Sequence, residues 1–471
     1  MPPVSLPAPL PVSVSAEARL AYVLRHFRLA YPGAPLVAIG HAGIQPQVEA
    51  AELDAGFFDA AAPYPAPPHW REWRGRQVPF FFDQPDAPLL VLREGKAYIS
   101  ADIISAAFYL LSGWQEYFST ERDQHGRFPY AASVQKQYGF VTLPVVNYYF
   151  DVLRAAVEHV SGQPLKPRRW GPQLASFAAF ISHDVDNLYS AWKAPAKTAL
   201  RNGNLWDFGR KLWQHFTTSD AWDNLEQVQA AVSLYEAKST FFFLPNNKVG
   251  ITGTPNADYS LRQKVIEQQI RALYATGSEV AIHGSTSTSG DSVNLVLETS
   301  AVREILNQPF DSQLPFGNRF HYLKWEPMVT PFVLECIPFD YDTTLGFPEH
   351  FGFRHSYCQP YYPFSFHESR SCTFLEIPLN VMDATLHHPN YLQLAPAEIL
   401  PALRPMFAEI KRFGGVASVL WHNQNFDPAN KQNGPRQFHE IMAHLQAEGA
   451  AFRTGRDIWQ EFTDAGETLN P

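Results

Sequence analysis

Strand-like and helix-like segments alternate through the C-terminal two thirds of the chain, and this pattern most constrains the fold. Short apolar runs predict strands at residues 176–181, 239–244, 279–282, 315–319 and 416–421. Apolar residues at helical spacing predict helices between them, including 221–237, 260–275, 295–306, 396–413 and 436–448. Such alternation indicates a parallel sheet, barrel-like or doubly wound, whose functional side chains lie at the C-terminal ends of the strands.

The N-terminal third shows a different arrangement. A proline-rich tail covers residues 1–16, and a smaller α/β domain is predicted over 17–165, with helices at 17–27, 103–113 and 145–160. Prolines and two adjacent arginines in residues 161–173 mark a boundary. The second predicted domain covers residues 174–465.

Composition excludes several classes of protein. The chain has 471 residues, 45% of them hydrophobic, and no apolar run long enough to cross a bilayer, so we expect a soluble globular protein without a membrane span. A net charge of -9 provides no basic field for nucleic acid. The first twenty residues lack the pattern of a secretory signal, which favours the cytoplasm. The three cysteines, Cys336, Cys358 and Cys372, are interpreted as ordinary thiols.

Two carboxylates follow the first strand of the second domain. Residues 182–186 read Ser-His-Asp-Val-Asp, and in an extended chain Asp184 and Asp186 share one face while His183 lies on the other. Two carboxylates this close stay ionised only if a cation lies between them or an arginine pairs with one. The alternative is a capping pair at a strand-to-helix turn.

Three further candidates end other predicted strands. His283 follows a short buried strand and precedes a Gly-Ser-Thr loop, where a neutral imidazole suits a divalent ion. Arg319 could bind a carboxylate bidentately, and His422 is placed for a general acid. Taken singly, each has an ordinary structural alternative: a polar residue at a strand end, a surface salt bridge and a core histidine, respectively.

Together these segments resemble the ordered motifs of the polysaccharide deacetylase family (NodB homology, carbohydrate esterase family four). The likeness covers residues 174–465 and includes the strand Ser-Thr-Phe-Phe-Phe-Leu at 239–244. It implies a distorted, incomplete (β/α) barrel, preceded here by the smaller α/β domain. It also implies a hydrolase acting on carbon-nitrogen bonds other than peptide bonds.

The resemblance assigns roles position by position. Asp184 matches the catalytic base, Arg319 the arginine that orients the base, and His422 the histidine that protonates the leaving amine. Asp186 and His283 match two metal ligands of a divalent ion, for which we expect zinc, with cobalt, nickel or manganese as alternatives.

The third metal ligand of the family falls at Ser287, which is a poor ligand for zinc-like ions. Ser287 is kept as the predicted third ligand. The alternative third ligands are a water, His183 and His321. If none of these completes the metal shell, the alternatives are a low metal affinity or a lost activity.

Two further blocks resemble bacterial relatives linked to surface polysaccharides, at residues 339–347 and 376–383. Their Asp342 and Asp383 either line the cleft or cap turns, and turn capping is slightly favoured. The N-terminal segments 108–117 and 123–128 resemble an accessory domain with no assigned chemistry, which could shape the cleft or a dimer.

The predicted function is removal of N-acetyl groups from a sugar or polysaccharide precursor. The alternatives are hydrolysis of another C–N or O-acetyl bond, or a metal-poor glycan-binding or scaffolding protein. The predicted partners are a carbohydrate substrate and, as an open option, a second copy in a homo-oligomer. Aromatic residues near the predicted site could stack on sugar rings, although most are expected to be packing residues: Tyr322, Trp325, Phe347, Tyr361 and Tyr362.

Overall fold

The computed structural model describes residues 13–249, 253–309, 314–431 and 434–467. Most of the predicted proline-rich tail, residues 1–12, lies outside this range. The strands of the N-terminal region are β1 (Ile39–Gly40), β2 (Val48–Ala50), β3 (His69–Trp73), β4 (Arg76–Phe80), β5 (Leu90–Arg93) and β6 (Lys96–Ile99). Its helices are α1 (Ala16–Ala30), α2 (Ile103–Leu111), α3 (Trp114–Phe118), α4 (Val134–Gln137) and α5 (Val145–Ser161).

The remaining elements form the C-terminal region. Its strands are β7 (Ala178–Val185), β8 (Thr240–Phe243), β9 (Glu279–Gly284), β10 (Gly317–Phe320), β11 (Tyr341–Asp342), β12 (Phe364–Ser365), β13 (Arg370–Ser371), β14 (Leu375–Glu376), β15 (Val381–Met382), β16 (Val416–Leu420) and β17 (Ala451–Phe452). Its helices are α6 (Lys193–Arg201), α7 (Leu205–Thr217), α8 (Leu225–Ser233), α9 (Lys264–Ala275), α10 (Ser292–Ile305), α11 (Thr330–Glu335), α12 (Asp383–His387), α13 (Pro396–Phe413), α14 (Pro435–Ala447) and α15 (Gly455–Glu467).

The main sheet is parallel and runs in the order β14, β11, β10, β9, β8, β7, β16, β15. Every residue of β7, β8, β9, β10 and β16 is buried. Strands buried on both faces need continuous apolar runs, which is the pattern the sequence shows at these positions.

The connection between the two outermost strands shows that this sheet is curled. A flat sheet of these strands would separate β14 from β15 by about 34 Å at the usual strand spacing. The chain passes from β14 to β15 through residues 377–380, which span at most about 17 Å. One segment therefore pairs with β11 at its start and with β16 at its end. The predicted distorted (β/α) barrel is confirmed.

The N-terminal region forms its own small sheet, in the order β1, β2, β6, β5, beside the hairpin of β3 and β4. Helix α5 covers this sheet, and α2 packs against α1 and α5, with every one of its residues buried. The predicted α/β character of this region is therefore present.

The two regions share one apolar core. The largest cluster of buried hydrophobic residues includes side chains from α2 and α5 and from β8, β9 and α13. Polar contacts also cross between the regions: the Tyr22 hydroxyl donates to the Tyr362 carbonyl, and the Cys358 amide donates to Asn147. The predicted division between residues 165 and 174 stays a prediction, since the core continues across it.

Among the described residues, none of the helices combines the length and the apolarity that a bilayer-spanning segment needs.

Candidate active site

The base and its arginine come from two strands of the barrel. Strand β7 stays extended through Val185, because β8 pairs with it as far as that residue. Asp184 lies near its C-terminal end and Arg319 lies on β10. Arg319 Nη1 donates to Asp184 Oδ1 at 2.7 Å, and Arg319 Nε donates to the Thr343 carbonyl. Both side chains are buried, so this ion pair is shielded from solvent. The structure brings together the two residues that the sequence pairs.

Asp186, His283 and His321 lie together beside this ion pair. Each offers one ligand atom, and these atoms all lie within 4.8 Å of one another. Asp186 Oδ1 is 3.3 Å from His283 Nε2 and 3.7 Å from His321 Nε2. His283 Nε2 also lies 3.6 Å from Asp184 Oδ2, the carboxylate oxygen that Arg319 does not contact.

The two distances from Asp186 Oδ1 to the imidazole nitrogens are close to those of a tetrahedral divalent ion. Metal bonds of about 2.0–2.1 Å place the ligand atoms of a tetrahedral zinc site about 3.3 Å apart. Asp186 Oδ1 is buried and accepts no hydrogen bond from the described protein atoms. A buried carboxylate oxygen without a donor, facing two imidazole nitrogens, is what a cation would satisfy. The three residues therefore fit the metal that the sequence predicts.

The orientation of His283 is fixed by the neighbouring strand. Its Nδ1 lies 2.8 Å from the Arg319 carbonyl, which only accepts hydrogen bonds, so Nδ1 carries the proton. In the neutral ring Nε2 then keeps its lone pair, directed at Asp186. Gly284 allows β9 and β10 to approach closely here, because a Cβ at that position would lie 2.7 Å from the Phe320 ring.

Charges in the group favour the metal-binding forms of Asp186 and His321, whereas the Asp184 and Asp186 carboxylates outweigh burial and raise the pKa of His283. Burial opposes charge on Asp186, but His321, His283 and His422 around it outweigh burial and hold the pKa of that carboxyl below its usual range. Burial also lowers the pKa of His321 to about 4, which keeps its ring neutral near pH 7. An ionised carboxylate and a neutral imidazole are the forms that bind metals.

His422 lies on the other side of Asp186, with its Nε2 3.7 Å from Asp186 Oδ2. Its Nδ1 is 2.7 Å from Asp383 Oδ1, and its backbone amide donates to Asp383 Oδ2. Burial opposes charge on this imidazole, but the Asp383 carboxylate outweighs it and raises the pKa of His422 to about 10. His422 can therefore hold a proton on Nε2 towards the cleft.

Asp383 is the functional neighbour that the sequence left open. It is fully buried, and Asn425 donates to its Oδ2. The slightly favoured interpretation of turn capping does not describe these contacts with His422. Asp342, the other residue left open, is also fully buried and accepts hydrogen bonds from Asn318 and Thr344, so it organises the barrel wall.

Ser287 lies apart from the group. It precedes the short helical turn Thr288–Gly290 and lines a different cavity, together with Asn246, Lys248 and Glu298. His183 lies on the opposite face of β7, as the strand periodicity predicts, with its Nδ1 2.7 Å from the Trp421 carbonyl. Neither residue is brought to the Asp186 group, whereas His321, one of the alternatives, is.

The cleft above these residues has a volume of about 250 Å³. The side chains of Asp184, Asp186, His283, His321 and His422 all line it. Of the predicted aromatic residues, Tyr322 lines the cleft. The other four are buried away from it, which agrees with the expectation of packing: Trp325, Phe347, Tyr361 and Tyr362.

One wall of the cleft comes from the N-terminal region. Arg127 lines the cleft and donates through Nη1 to the Tyr322 carbonyl at 2.6 Å, while its Nε and Nη2 contact Asp123. The His125 ring stacks on the Tyr322 ring with centroids 4.8 Å apart. Tyr322 has a φ of 60°, a left-handed conformation that is unfavourable for a residue with a side chain. These contacts therefore stabilise the turn that directly follows His321.

One family model matches part of the chain. Residues 47–161 match the model of a family of unknown function (DUF7033), and this match lies inside the predicted N-terminal domain. No curated protein matches the chain.

Several solved structures are similar to the chain. One, described as a "putative polysaccharide deacetylase" from Mycobacterium smegmatis, has 14% identity and a TM-score of 0.41, and the match covers 65% of this chain and 96% of that one. Puue allantoinase has 12% identity and a TM-score of 0.41, with 64% and 94% covered. A probable polysaccharide deacetylase from Pseudomonas aeruginosa PAO1 has 12% identity and a TM-score of 0.41, with 64% and 95% covered.

Proposed function

We propose that this protein is a metal-dependent hydrolase that removes N-acetyl groups from a sugar or a polysaccharide precursor. One observation carries the proposal. A carboxylate bound by a buried arginine and an imidazole bound by a buried carboxylate lie on either side of an Asp-His-His group. A proton acceptor and a proton donor flanking a metal-binding group are the components that hydrolysis of an amide requires.

Asp186, His283 and His321 would hold the divalent ion, which when bound supplies Lewis acidity toward the acetamide carbonyl and a water. Asp184 accepts the proton of the attacking water on Oδ2, because Arg319 occupies Oδ1 and fixes the orientation of the carboxylate. His422 donates its Nε2 proton to the departing amine. Asp383 holds the imidazole of His422 in the required orientation throughout.

The substrate class rests on the resemblance of the motifs and on the form of the cleft. A cleft of about 250 Å³ that ends at the metal group suits an acetamido group and part of one sugar ring. Tyr322 and Tyr391 at its wall provide aromatic faces for the ring.

The test is acetate release from N-acetylated mono- and oligosaccharides with zinc, cobalt, nickel or manganese added to metal-free protein. We expect acetate with at least one metal, and none from Asp186→Ala. Parallel assays with O-acetylated sugars and with small cyclic amides distinguish the other hydrolase reactions. Absence of acetate from all N-acetyl substrates under all four metals would refute the proposal.

The alternative of a metal-poor glycan-binding protein was based on Ser287, a poor metal ligand at the position of the third metal ligand. His321 supplies a third donor from a different part of the chain, so this argument no longer favours the binding protein.

A pair of substitutions tests the third ligand. His321→Ala is expected to weaken metal binding by more than about 100-fold, since even the outer partners of metal ligands contribute about 10–100-fold. Ser287→Ala serves as the matched control and should leave metal affinity unchanged. Competition with a chromophoric chelator measures both affinities. Equal losses in the two variants, or a loss only in Ser287→Ala, would contradict the assignment.

Asp383→Asn tests the proton donor. We expect kcat to fall by about 10²-fold, at the lower end of the contribution of general acid catalysis. The carboxylate raises the pKa of His422, so its removal lowers that pKa and moves the alkaline limb of the pH profile to lower pH. The kcat profile from pH 6 to about 10 checks this, with metal content as the control. If the alkaline limb of the kcat profile is the same in Asp383→Asn as in the wild type, His422 is not the general acid.

A further inference from the structure

Helices α6 and α7 form a hairpin that the proposed reaction does not use. The hairpin leaves the barrel shortly after Asp186, between β7 and α8, and the two helices pack against each other. Ala196 and Ala199 of α6 are buried against the protein. Because it follows the C-terminal end of β7, the hairpin stands on the same side of the barrel as the cleft.

Several apolar side chains of α7 are exposed. The exposed fractions are 70% for Leu205, 76% for Trp206 and 67% for Trp213, and Leu200 of α6 is 50% exposed. Trp206 and Trp213 lie about two helical turns apart and therefore share one face. Tryptophan is well buried on average in soluble proteins, and it concentrates at membrane interfaces.

The hairpin is also basic, in contrast to the rest of the chain. Its charged residues, apart from Asp207, are the basic Lys193, Lys197, Arg201, Arg210 and Lys211, whereas the chain as a whole has a net charge of -9. Lys193, Lys197 and Arg201 are exposed on α6, and Arg210 is exposed on α7. The three basic residues of α6 are spaced four positions apart, about one helical turn, so they line one side of the helix.

We propose that this hairpin docks onto the surface of an anionic lipid membrane. The exposed tryptophans and leucines would enter the headgroup region, and the lysines and arginines would contact lipid phosphates. Although a second copy of this chain has a negative net charge, its hairpin is equally basic, so hairpin-to-hairpin docking would bring like charges together. An anionic lipid surface has the opposite charge to the hairpin, which favours lipid as the occupant. Docking holds the cleft beside the membrane, where the sugar end of an amphiphilic substrate would be presented.

Flotation of the full-length protein with vesicles tests the proposal. We expect binding to vesicles of phosphatidylcholine with phosphatidylglycerol, and little binding to phosphatidylcholine alone. The double variant Trp206→Ala/Trp213→Ala should reduce the bound fraction at least about tenfold. Lys193→Glu/Lys197→Glu should reduce it further, since each basic residue near an anionic surface contributes about fivefold. High salt should reduce binding of the wild type.

Phe332 of α11 provides the matched control, because it is 67% exposed and lies outside the hairpin. Phe332→Ala should bind vesicles as the wild type does. Circular dichroism shows whether each variant is folded, and acetate release shows that the cleft is intact. Binding that is equal on neutral and anionic vesicles, or unchanged in both double variants, would overturn the proposal. Concentration-dependent dimerisation that the tryptophan variant abolishes, without vesicle binding, would overturn it in favour of a second copy.

Discussion

Asp184→Asn is expected to lower kcat by about 10²–10⁴-fold, the range contributed by a general base. The asparagine has the size of the aspartate and still offers an oxygen to Arg319, but it cannot accept the proton of the attacking water. Metal affinity should change little, because Asp184 is not one of the three grouped ligands. Steady-state kinetics together with the metal content of the purified variant measure both effects.

The matched variant is Asp186→Asn, which changes the neighbouring carboxylate of the same segment. It should lose metal, since Asp186 faces both His283 and His321. The two variants are thus expected to lose activity for different reasons. Asp184→Asn should bind metal but be inactive, whereas Asp186→Asn should lack metal. A variant Asp184→Asn that keeps more than a tenth of wild-type kcat would show that another group takes the proton.

Glu116→Ala is expected to destabilise the folded protein by about 3–5 kcal/mol, the cost of leaving a buried charge without its partner. Arg354 Nε and Nη2 donate to the two oxygens of Glu116 at 2.8 and 2.6 Å, and both side chains are about 1% exposed. Burial opposes charge on Glu116, yet Arg354 outweighs it and lowers the pKa of Glu116 to about 2. This pair joins α3 of the N-terminal region to a loop of the barrel region.

Urea denaturation of the variant and the wild type measures the change. Glu448→Ala is the control, because the Lys411–Glu448 ion pair is equally close at 2.8 Å but exposed, and exposed pairs contribute less than about 1 kcal/mol. Equal small losses in both variants would show that the buried pair contributes little. A transition in two steps for Glu116→Ala would indicate that the two regions unfold separately.

Most of the barrel could be predicted because its strands are buried on both faces. The apolar run at residues 416–421 predicts β16, and the helix predicted at 396–413 coincides with α13. Strand β7 extends beyond its predicted end at 181, because β8 pairs with it up to Val185. Asp184 of β7 therefore lies within the sheet. Pairing of this kind is a long-range property that local sequence does not contain.

Ser287 as the third ligand stays a prediction, but the third donor that the structure places beside Asp186 and His283 is His321, which the sequence offered only as an alternative. A serine four positions after His283 draws attention to the same loop, yet His321 comes from the turn that follows the adjacent strand. Strand β10 pairs with β9 so that Arg319 lies beside His283, and His321 lies two residues beyond Arg319, just after the strand ends. The same holds for Asp383, which reaches His422 because β15 pairs with β16. The hairpin of α6 and α7 was not predicted, since its apolar residues face solvent instead of a core.

The contact between Arg127 and Tyr322 has a consequence for how the cleft could vary. Most residues that line the cleft belong to the barrel, but Arg127 lies outside it and holds the turn at Tyr322. Insertions or exchanges in residues 123–127 could therefore change the shape of the cleft without changing any side chain of the barrel that lines it.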